Sequence, residues 1–143
     1  MRLEKDGIFI SQKKGNLCYY SLNKAYPLFE ELRSIVFKTI GIQGVLSKML
    51  RTIPNIDSAF IYGSYAKNET HAGSDIDVFI VGSPNEDVIV EKINALEKKL
   101  KRDINYSIYP HTDFMKKKKA RDSFIKDVLS NDKIFLIGTS NDL

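Results

Sequence analysis

The chain has 143 residues, of which 43% are hydrophobic and 28% are charged, and its formal net charge is +4. This length and composition predict a soluble globular protein with one compact domain and a small appendage. The sequence has neither an apolar run of about 20 residues that could span a bilayer nor an apolar signal segment at its start, so we expect a cytoplasmic location and no membrane partner. Cys18 is the only cysteine, which excludes an internal disulfide, and we expect its side chain to pack in a core.

The first 25 residues are predicted to form a β-hairpin extension. Residues 7–12 are β-prone, 13–16 form a turn with Gly15 and Asn16, which tolerate positive φ, and 17–22 supply the returning strand. Because the edges of a lone hairpin need to be covered, this extension favours a homodimer.

Two helices are predicted after the hairpin. Apolar residues recur at helical spacing between Pro27 and Gly41, and a second apolar stretch covers 44–52 before Pro54.

From residue 58 onward, strands and helices alternate. Strands are predicted at 58–62, 75–81 and 104–109. Residues 65–68 are predicted to open a short helix, and further helices are predicted at 86–102 and from Thr112 to about Ser130, with a last short apolar segment at 134–137. This order predicts an α/β (α+β) fold with a small mixed sheet flanked by helices. The chain is therefore divided into the hairpin extension, 1–25, and a main domain, 26–143, that begins with the two helices.

Asp75 and Asp77 are the first candidate site residues. They stand two apart on a predicted strand, so we expect both carboxylates on one face while Ile76 points into the core. Adjacent carboxylates repel each other unless a divalent cation lies between them, and an oxygen-only ligand set suits Mg²⁺ or Mn²⁺ rather than zinc. The pair therefore predicts a metal site.

Gly63 and Ser64 form the second half of the predicted site. A glycine at the end of a buried strand lets the backbone approach a ligand closely, and the following helix would offer unpaired N–H groups to a phosphate. The Ser64 hydroxyl adds a donor, and Lys67 either reaches a phosphate or lies on a solvated helix face. Together, these features predict a nucleotide site suited to phosphoryl or nucleotidyl transfer.

The segment Gly63-Ser64-Tyr65-Ala66, followed by Ser74-Asp75-Ile76-Asp77-Val78, resembles the signature of the minimal nucleotidyltransferases of the DNA polymerase β superfamily. The resemblance covers residues 58–109. It implies that Gly63 and Ser64 hold a nucleoside triphosphate and that Asp75 and Asp77 hold two metal ions. It also implies a third carboxylate on the next strand, which acts on the attacking hydroxyl.

The sequence departs from this pattern at Asn105, which occupies the position of that third carboxylate. An amide oxygen ligates a metal weakly and cannot act as a base. Asp103, two residues earlier, could substitute only if the strand register or the strand end allows it.

The hairpin resembles the wing of a winged helix-turn-helix, a module that precedes nucleotidyltransferase domains in some prokaryotic proteins. Lys13 and Lys14 at the turn could then contact the phosphates of a nucleic acid. The basic block at 116–119 favours a solvated helix face over a polyanion contact. His71 is interpreted as a loop residue that could reach a base or ribose, and His111 as an exposed linker.

Two functions follow from these observations. The first is metal-dependent transfer of a nucleoside monophosphate from a triphosphate to a hydroxyl acceptor, with Asp75, Asp77 and Asn105 at the reacting centre. The second is a catalytically degenerate protein of the same fold that acts as a regulatory or antitoxin-like binding partner. Small members of the family often pair with a helical protein in toxin–antitoxin modules, and Asn105 favours this second function.

Overall fold

A computed structural model describes residues 2–38, 40–67 and 74–143. The chain forms two compact units, Met1–Gly41 and Ile42–Leu143. Among the described residues, no helix combines the length and the apolar character needed to cross a membrane.

The first unit contains the predicted hairpin. Helix α1 (Arg2–Lys5) precedes strands β1 (Phe9–Lys14) and β2 (Leu17–Leu22), which pair antiparallel, with Lys14 opposite Leu17. The turn is thus shorter than expected, since Lys13 and Lys14 belong to β1. Nearly all residues of both strands are exposed, Cys18 included, so the prediction that Cys18 packs in a core is wrong. Strand alternation indicates two faces but not whether either face is covered.

The two predicted helices are α2 (Phe29–Lys38) and α3 (Ile40–Arg51). Helix α3 begins four residues earlier than the predicted 44–52, because the apolar face formed by Leu46 and Leu50 already includes Ile42 one turn before. All three of these side chains are fully buried.

The second unit is built on a four-stranded mixed sheet in the order β5-β4-β3-β6. Strand β4 is antiparallel to β3 and parallel to β5, and β6 is antiparallel to β3. The elements are β3 (Ile56–Tyr62), α4 (Gly63–Ala66), β4 (Ile76–Gly82), α5 (Glu86–Leu100), β5 (Ile104–Tyr109), α6 (His111–Lys119), α7 (Ser123–Ser130) and β6 (Ile134–Ile137), with a 3₁₀ turn at Ser140–Asp142. The predicted fold class, a small mixed sheet flanked by helices, is confirmed.

Helices cover the sheet on two faces. On one face, Phe60, Phe79 and Val81 pack with residues of α6 and α7, chiefly Phe114 and Ile125. Because strand side chains alternate, the neighbouring strand residues point to the opposite face and share it with the buried sides of α3 and α5. Asp77 and Asn105 belong to the face of α6 and α7.

The prediction of one continuous helix from Thr112 to Ser130 is wrong. Helix α6 ends at Lys119, Arg121 adopts a left-handed conformation with φ 54°, and Asp122 caps α7 by accepting from the Ile125 amide at 3.1 Å. Pro110, not Thr112, precedes the first turn of α6. His111 is exposed, but it is the first residue of the helix and not a linker.

Candidate nucleotide and metal site

Three residues from adjacent strands form a row across one end of the sheet. In the strand register, Tyr62 at the end of β3 stands opposite Asp77 of β4, and Asp77 stands beside Asn105 of β5. Since β3 runs antiparallel to the other two strands, its last residue meets the first residues of β4 and β5. The sheet itself therefore brings the predicted glycine turn and the predicted carboxylates together.

The Asn105 amide joins the two carboxylates. Its Nδ2 donates to Oδ2 of Asp75 and to Oδ1 of Asp77, at 3.2 Å in both cases. Strand β4 begins at Ile76, so Asp75 lies one residue outside the ladder rather than on the strand as predicted. Asp75 and Asn105 are exposed and Asp77 is partly buried, so the pair opens to solvent.

Gly63 lies directly against Asp77. It has φ +72°, and a Cβ placed on it would stand 2.6 Å from Oδ2 of Asp77. Only glycine combines this backbone conformation with such a close approach. The helix that follows is short: α4 comprises four residues, with no side-chain cap at Tyr62.

The remaining predicted nucleotide contacts lie on or just after this turn. Ser64 is partly buried in α4, and Lys67 is exposed as the residue that caps the end of this helix. The helix begins at Gly63, two residues before the predicted start at Tyr65. His71 and Asn68 lie outside the described residues. Asp103 lies before β5, and its backbone carbonyl accepts from the Ile76 amide at 2.9 Å, so the register leaves Asn105 beside Asp77.

Tyr62 is a site residue that sequence reasoning missed. Burial raises its pKa above the ordinary value of 10.0, a hydrogen bond with Ser107 acts in the opposite direction, and the Asp77 charge raises it further. Its ring also makes an edge contact with Phe124 of α7, with the centroids 6.1 Å apart. Ser107 stands two residues after Asn105, so strand periodicity could have placed it on the same face.

Arg102 and Tyr65 form a second feature that the sequence did not reveal. The Arg102 Nε donates to the Ser74 carbonyl at 3.1 Å, and its guanidinium carbon lies 5.6 Å from the centroid of the Tyr65 ring. Burial raises the pKa of Tyr65, while the Arg102 charge lowers it. Arg102 sits in the connection between α5 and β5, where nothing in the local sequence marks it.

The basic block at 116–119 spreads over the last turn of α6. Lys117 lies 3.8 Å from the Asp122 carboxylate and 5.9 Å from the Tyr109 ring centroid. Lys118 donates to the Leu143 carbonyl. A cleft of about 370 Å³ beside the block is lined by Lys118, Arg121, Ile125, Lys126, Leu129 and Ser130. Contact with nucleic acid stays a prediction, as does a homodimer.

The donor set of the site is compatible with a magnesium-type cation. Two carboxylates and one amide converge on one point, and no cluster of three acidic, histidine or cysteine side chains occurs among residues 2–38, 40–67 and 74–143. Mg²⁺ is commonly bound through one or two carboxylates together with substrate phosphates and water. The Asn105 Nδ2 group carries a partial positive charge, and by donating to both carboxylates it offsets part of the repulsion between the two aspartates.

A mixed sheet that holds an aspartate pair against a glycine turn defines a protein of the nucleotidyltransferase class. The family model described as "Polymerase beta, Nucleotidyltransferase" matches residues 45–140, more than half of the chain. The chain belongs to this family, and the resemblance stated from the sequence is confirmed for the nucleotidyltransferase domain. The wing-like hairpin lies before the matched residues.

Solved structures share the fold at low sequence identity. A toxin–antitoxin with AMP-PNP matches with a TM-score of 0.52 and 20% identity, covering 70% of this chain and 76% of that chain. A double Asp-to-Glu mutant of the toxin–antitoxin MntA-HpeT matches with a TM-score of 0.51 and 18% identity over the same shares. These similarities concern the fold alone. Comparison with curated proteins gives no significant sequence match.

Proposed function

We propose that this protein binds a nucleoside triphosphate together with Mg²⁺ or Mn²⁺ and transfers the nucleoside monophosphate to a hydroxyl acceptor, with pyrophosphate as the leaving group. The observation that carries the proposal is the convergence of the Asp75 and Asp77 carboxylates on one point beside Gly63. Membership of the polymerase beta nucleotidyltransferase family supports the same reaction class. The AMP-PNP in the structure of a toxin–antitoxin with this fold is consistent with a nucleotide ligand.

Each residue would have a distinct role. Asp75 and Asp77 would hold the cation, and the Asn105 side chain could add its neutral oxygen. A bound cation would neutralise charge on the phosphates. Gly63 leaves room for the Asp77 carboxylate beside the turn. The Ser64 hydroxyl can donate to the phosphates, and the exposed Lys67 supplies a positive charge nearby.

The acceptor side of the reaction is where Asn105 matters. An amide does not take up a proton at neutral pH, so the proton of the attacking hydroxyl would have to leave to water or to another group. We therefore expect slow transfer, with nucleotide binding intact.

Calorimetric titration with a non-hydrolysable triphosphate, with and without Mn²⁺, tests the proposal. Wild type should bind more tightly with the metal, and the double variant Asp75→Ala, Asp77→Ala should lose this metal-dependent binding. Asp57→Ala removes an exposed carboxylate at the opposite end of β3 and should behave as wild type. Unchanged, metal-independent binding in the double variant would contradict the proposal.

A second candidate is a catalytically silent partner-binding protein with a regulatory or antitoxin-like role. The observation that favours it is Asn105, an amide where the family resemblance implies a carboxylate. Proteins that share the fold were solved as toxin–antitoxins, which supports a partner protein for this chain. The family resemblance suggests that such a partner would be helical.

Transfer of labelled nucleotide distinguishes the two candidates. The protein would be incubated with a labelled triphosphate, Mn²⁺ and an extract that contains its partner. Metal-dependent labelling that Asp77→Ala abolishes supports the enzyme. Stable co-purification of a helical protein without any labelling supports the binding protein.

A further inference from the structure

Arg102 contacts both halves of the proposed site with one side chain. Helix α5 ends at Leu100, and Lys101 adopts a left-handed conformation with φ 54° that turns the chain toward β5. From this turn, the Arg102 Nε donates to the Ser74 carbonyl at 3.1 Å, and the guanidinium lies 5.6 Å from the Tyr65 ring centroid. Ser74 precedes Asp75, and Tyr65 follows Ser64.

The contact with Ser74 extends the sheet where the ladder stops. Strand β4 begins at Ile76, whose amide donates to the Asp103 carbonyl at 2.9 Å, so the backbone is held from Ile76 onward. Ser74 and Asp75 stand before that point. The charge-assisted bond from Arg102 holds the Ser74 carbonyl in the way that a ladder bond would hold it, and with more strength than a neutral donor.

The segment that carries Arg102 is itself anchored. The Glu97 carboxylate of α5 accepts from the Ile104 amide at 2.9 Å, which ties the start of β5 to the helix. Arg102 is partly buried, so its guanidinium is less screened than that of a fully exposed arginine. Arg102 therefore forms a brace from an anchored segment to one side chain, Tyr65, and one backbone carbonyl, that of Ser74.

The contact with Tyr65 acts on the other half of the site. The ring is partly buried, and a guanidinium near an aromatic face is attracted to it electrostatically. Tyr65 occupies the third position of the four-residue α4, so the orientation of its ring bears on the orientation of the whole turn. The segment 74–75 and helix α4 are thus both held by the side chain of Arg102.

We infer that Arg102 is a positioning residue that sets the Gly63–Ser64 turn and the Asp75–Asp77 pair at the spacing required to bind a metal–nucleotide complex. The inference rests on the proposed function. Arg102 acts through Ser74 and Tyr65 and not on the reacting atoms. Its loss should therefore weaken metal binding without removing any metal ligand.

The experiment measures Mn²⁺ affinity by electron paramagnetic resonance in wild type, Arg102→Ala and Arg102→Lys. We expect Arg102→Ala to bind Mn²⁺ about tenfold more weakly, the loss typical of an outer-shell contact. Lysine keeps the cation beside the ring but lacks the planar Nε–H, so Arg102→Lys should recover part of the affinity. Arg51→Ala is the matched control, because the Arg51 Nε donates to the Ser47 hydroxyl at 3.2 Å within α3, and it should bind as wild type.

A double-mutant cycle with Tyr65→Leu tests whether both contacts belong to one brace. If they do, the double variant should bind Mn²⁺ about as weakly as Arg102→Ala alone, since coupled contacts are not additive. Amide hydrogen exchange provides a readout that needs no metal: Arg102→Ala should speed exchange at residues 74–77 and leave 104–109 unchanged.

The outcomes separate the inference from the proposed function. If wild type binds no Mn²⁺, either alone or with a non-hydrolysable triphosphate, the proposed function fails. Hydrogen exchange then still decides whether Arg102 holds residues 74–77, and unchanged exchange overturns the brace as well. If wild type binds Mn²⁺ and Arg102→Ala binds it equally well, the positioning role is overturned, whatever the exchange rates. Weaker binding with partial recovery in Arg102→Lys supports it.

Discussion

Gly63→Ala is the sharpest test of the proposed site, because it places one methyl group against a metal-binding oxygen. The new Cβ would stand 2.6 Å from Oδ2 of Asp77, whereas ordinary contact begins at 3.4 Å. The carboxylate must therefore retreat by about 0.8 Å, more than the displacement of about 0.5 Å that a functional constellation tolerates. We expect Mn²⁺ affinity to fall by about 10- to 100-fold.

The same substitution also affects folding. Alanine at φ +72° costs about 1–2 kcal/mol relative to its preferred conformations. Moving the Asp77 carboxylate off its rotamer adds about 0.5–1.5 kcal/mol. In an Asp77→Ala background the second cost disappears, because the carboxylate is gone and the Cβ of residue 77, at 3.7 Å, lies at ordinary contact distance. Urea unfolding of the four proteins in this cycle measures the difference.

Gly15→Ala is the control for the backbone effect. Gly15 has φ +62°, close to that of Gly63, but a Cβ there meets no atom within 4 Å. It should leave Mn²⁺ affinity unchanged. If Gly63→Ala binds Mn²⁺ as wild type does, or destabilises the protein equally with and without the Asp77 carboxylate, the reasoning about this close approach is refuted.

Three further predictions concern individual side chains. Asn105→Asp replaces the bridging amide with a third carboxylate beside Asp75 and Asp77, so like-charge repulsion should lower the Tm of the metal-free protein and Mn²⁺ should raise it by more than in wild type; equal metal-induced shifts in thermal unfolding would contradict this. Ser58 is 1% exposed, and its hydroxyl has no hydrogen-bond partner within the described part of the chain. Ser58→Ala should therefore raise the free energy of unfolding by about 1 kcal/mol, and a loss of stability in urea unfolding would count against an unsatisfied hydroxyl. Because the pKa of Tyr62 is raised in the folded protein, the Tyr62 phenol of the unfolded chain loses its proton at a lower pH. The protonated Tyr62 phenol therefore contributes its full stabilisation below pH 10, and this contribution declines as the pH rises from 10.0 through the folded pKa. Tyr62→Phe should lose less stability than wild type between pH 9 and pH 11 in urea unfolding, and an identical decline would argue against the burial of this phenol.

The strands at the core of the fold could be predicted because two independent sequence signals mark each of them. Residues 58–62, 75–81 and 104–109 combine apolar runs with a glycine or proline at one end, and the strands lie within two residues of those bounds. Asp75 and Asp77 could be expected on one face because strand side chains alternate with period two, although Asp75 lies one residue before β4. The position of Asn105 comes from the family resemblance. The register that sets Asp77 beside both Tyr62 and Asn105 depends on long-range pairing, which local sequence does not encode.

Features that depend on a single backbone angle could not be predicted. The break between α6 and α7 falls at Arg121, in a lysine-rich stretch with high helix propensity and neither glycine nor proline. The one available signal was Asp122, a residue type that often caps a helix. The left-handed Lys101 that directs Arg102 toward Ser74 is hidden for the same reason.

The bridging amide of Asn105 also bears on whether the protein folds before or after it binds a metal ion. Both carboxylates are already satisfied by a neutral group, so the chain can reach its folded state while divalent ions are scarce. An arriving ion must break two hydrogen bonds to charged acceptors, each worth about 1.5–3 kcal/mol. A metal–nucleotide complex that binds at the proposed site would therefore have to offset the loss of both hydrogen bonds.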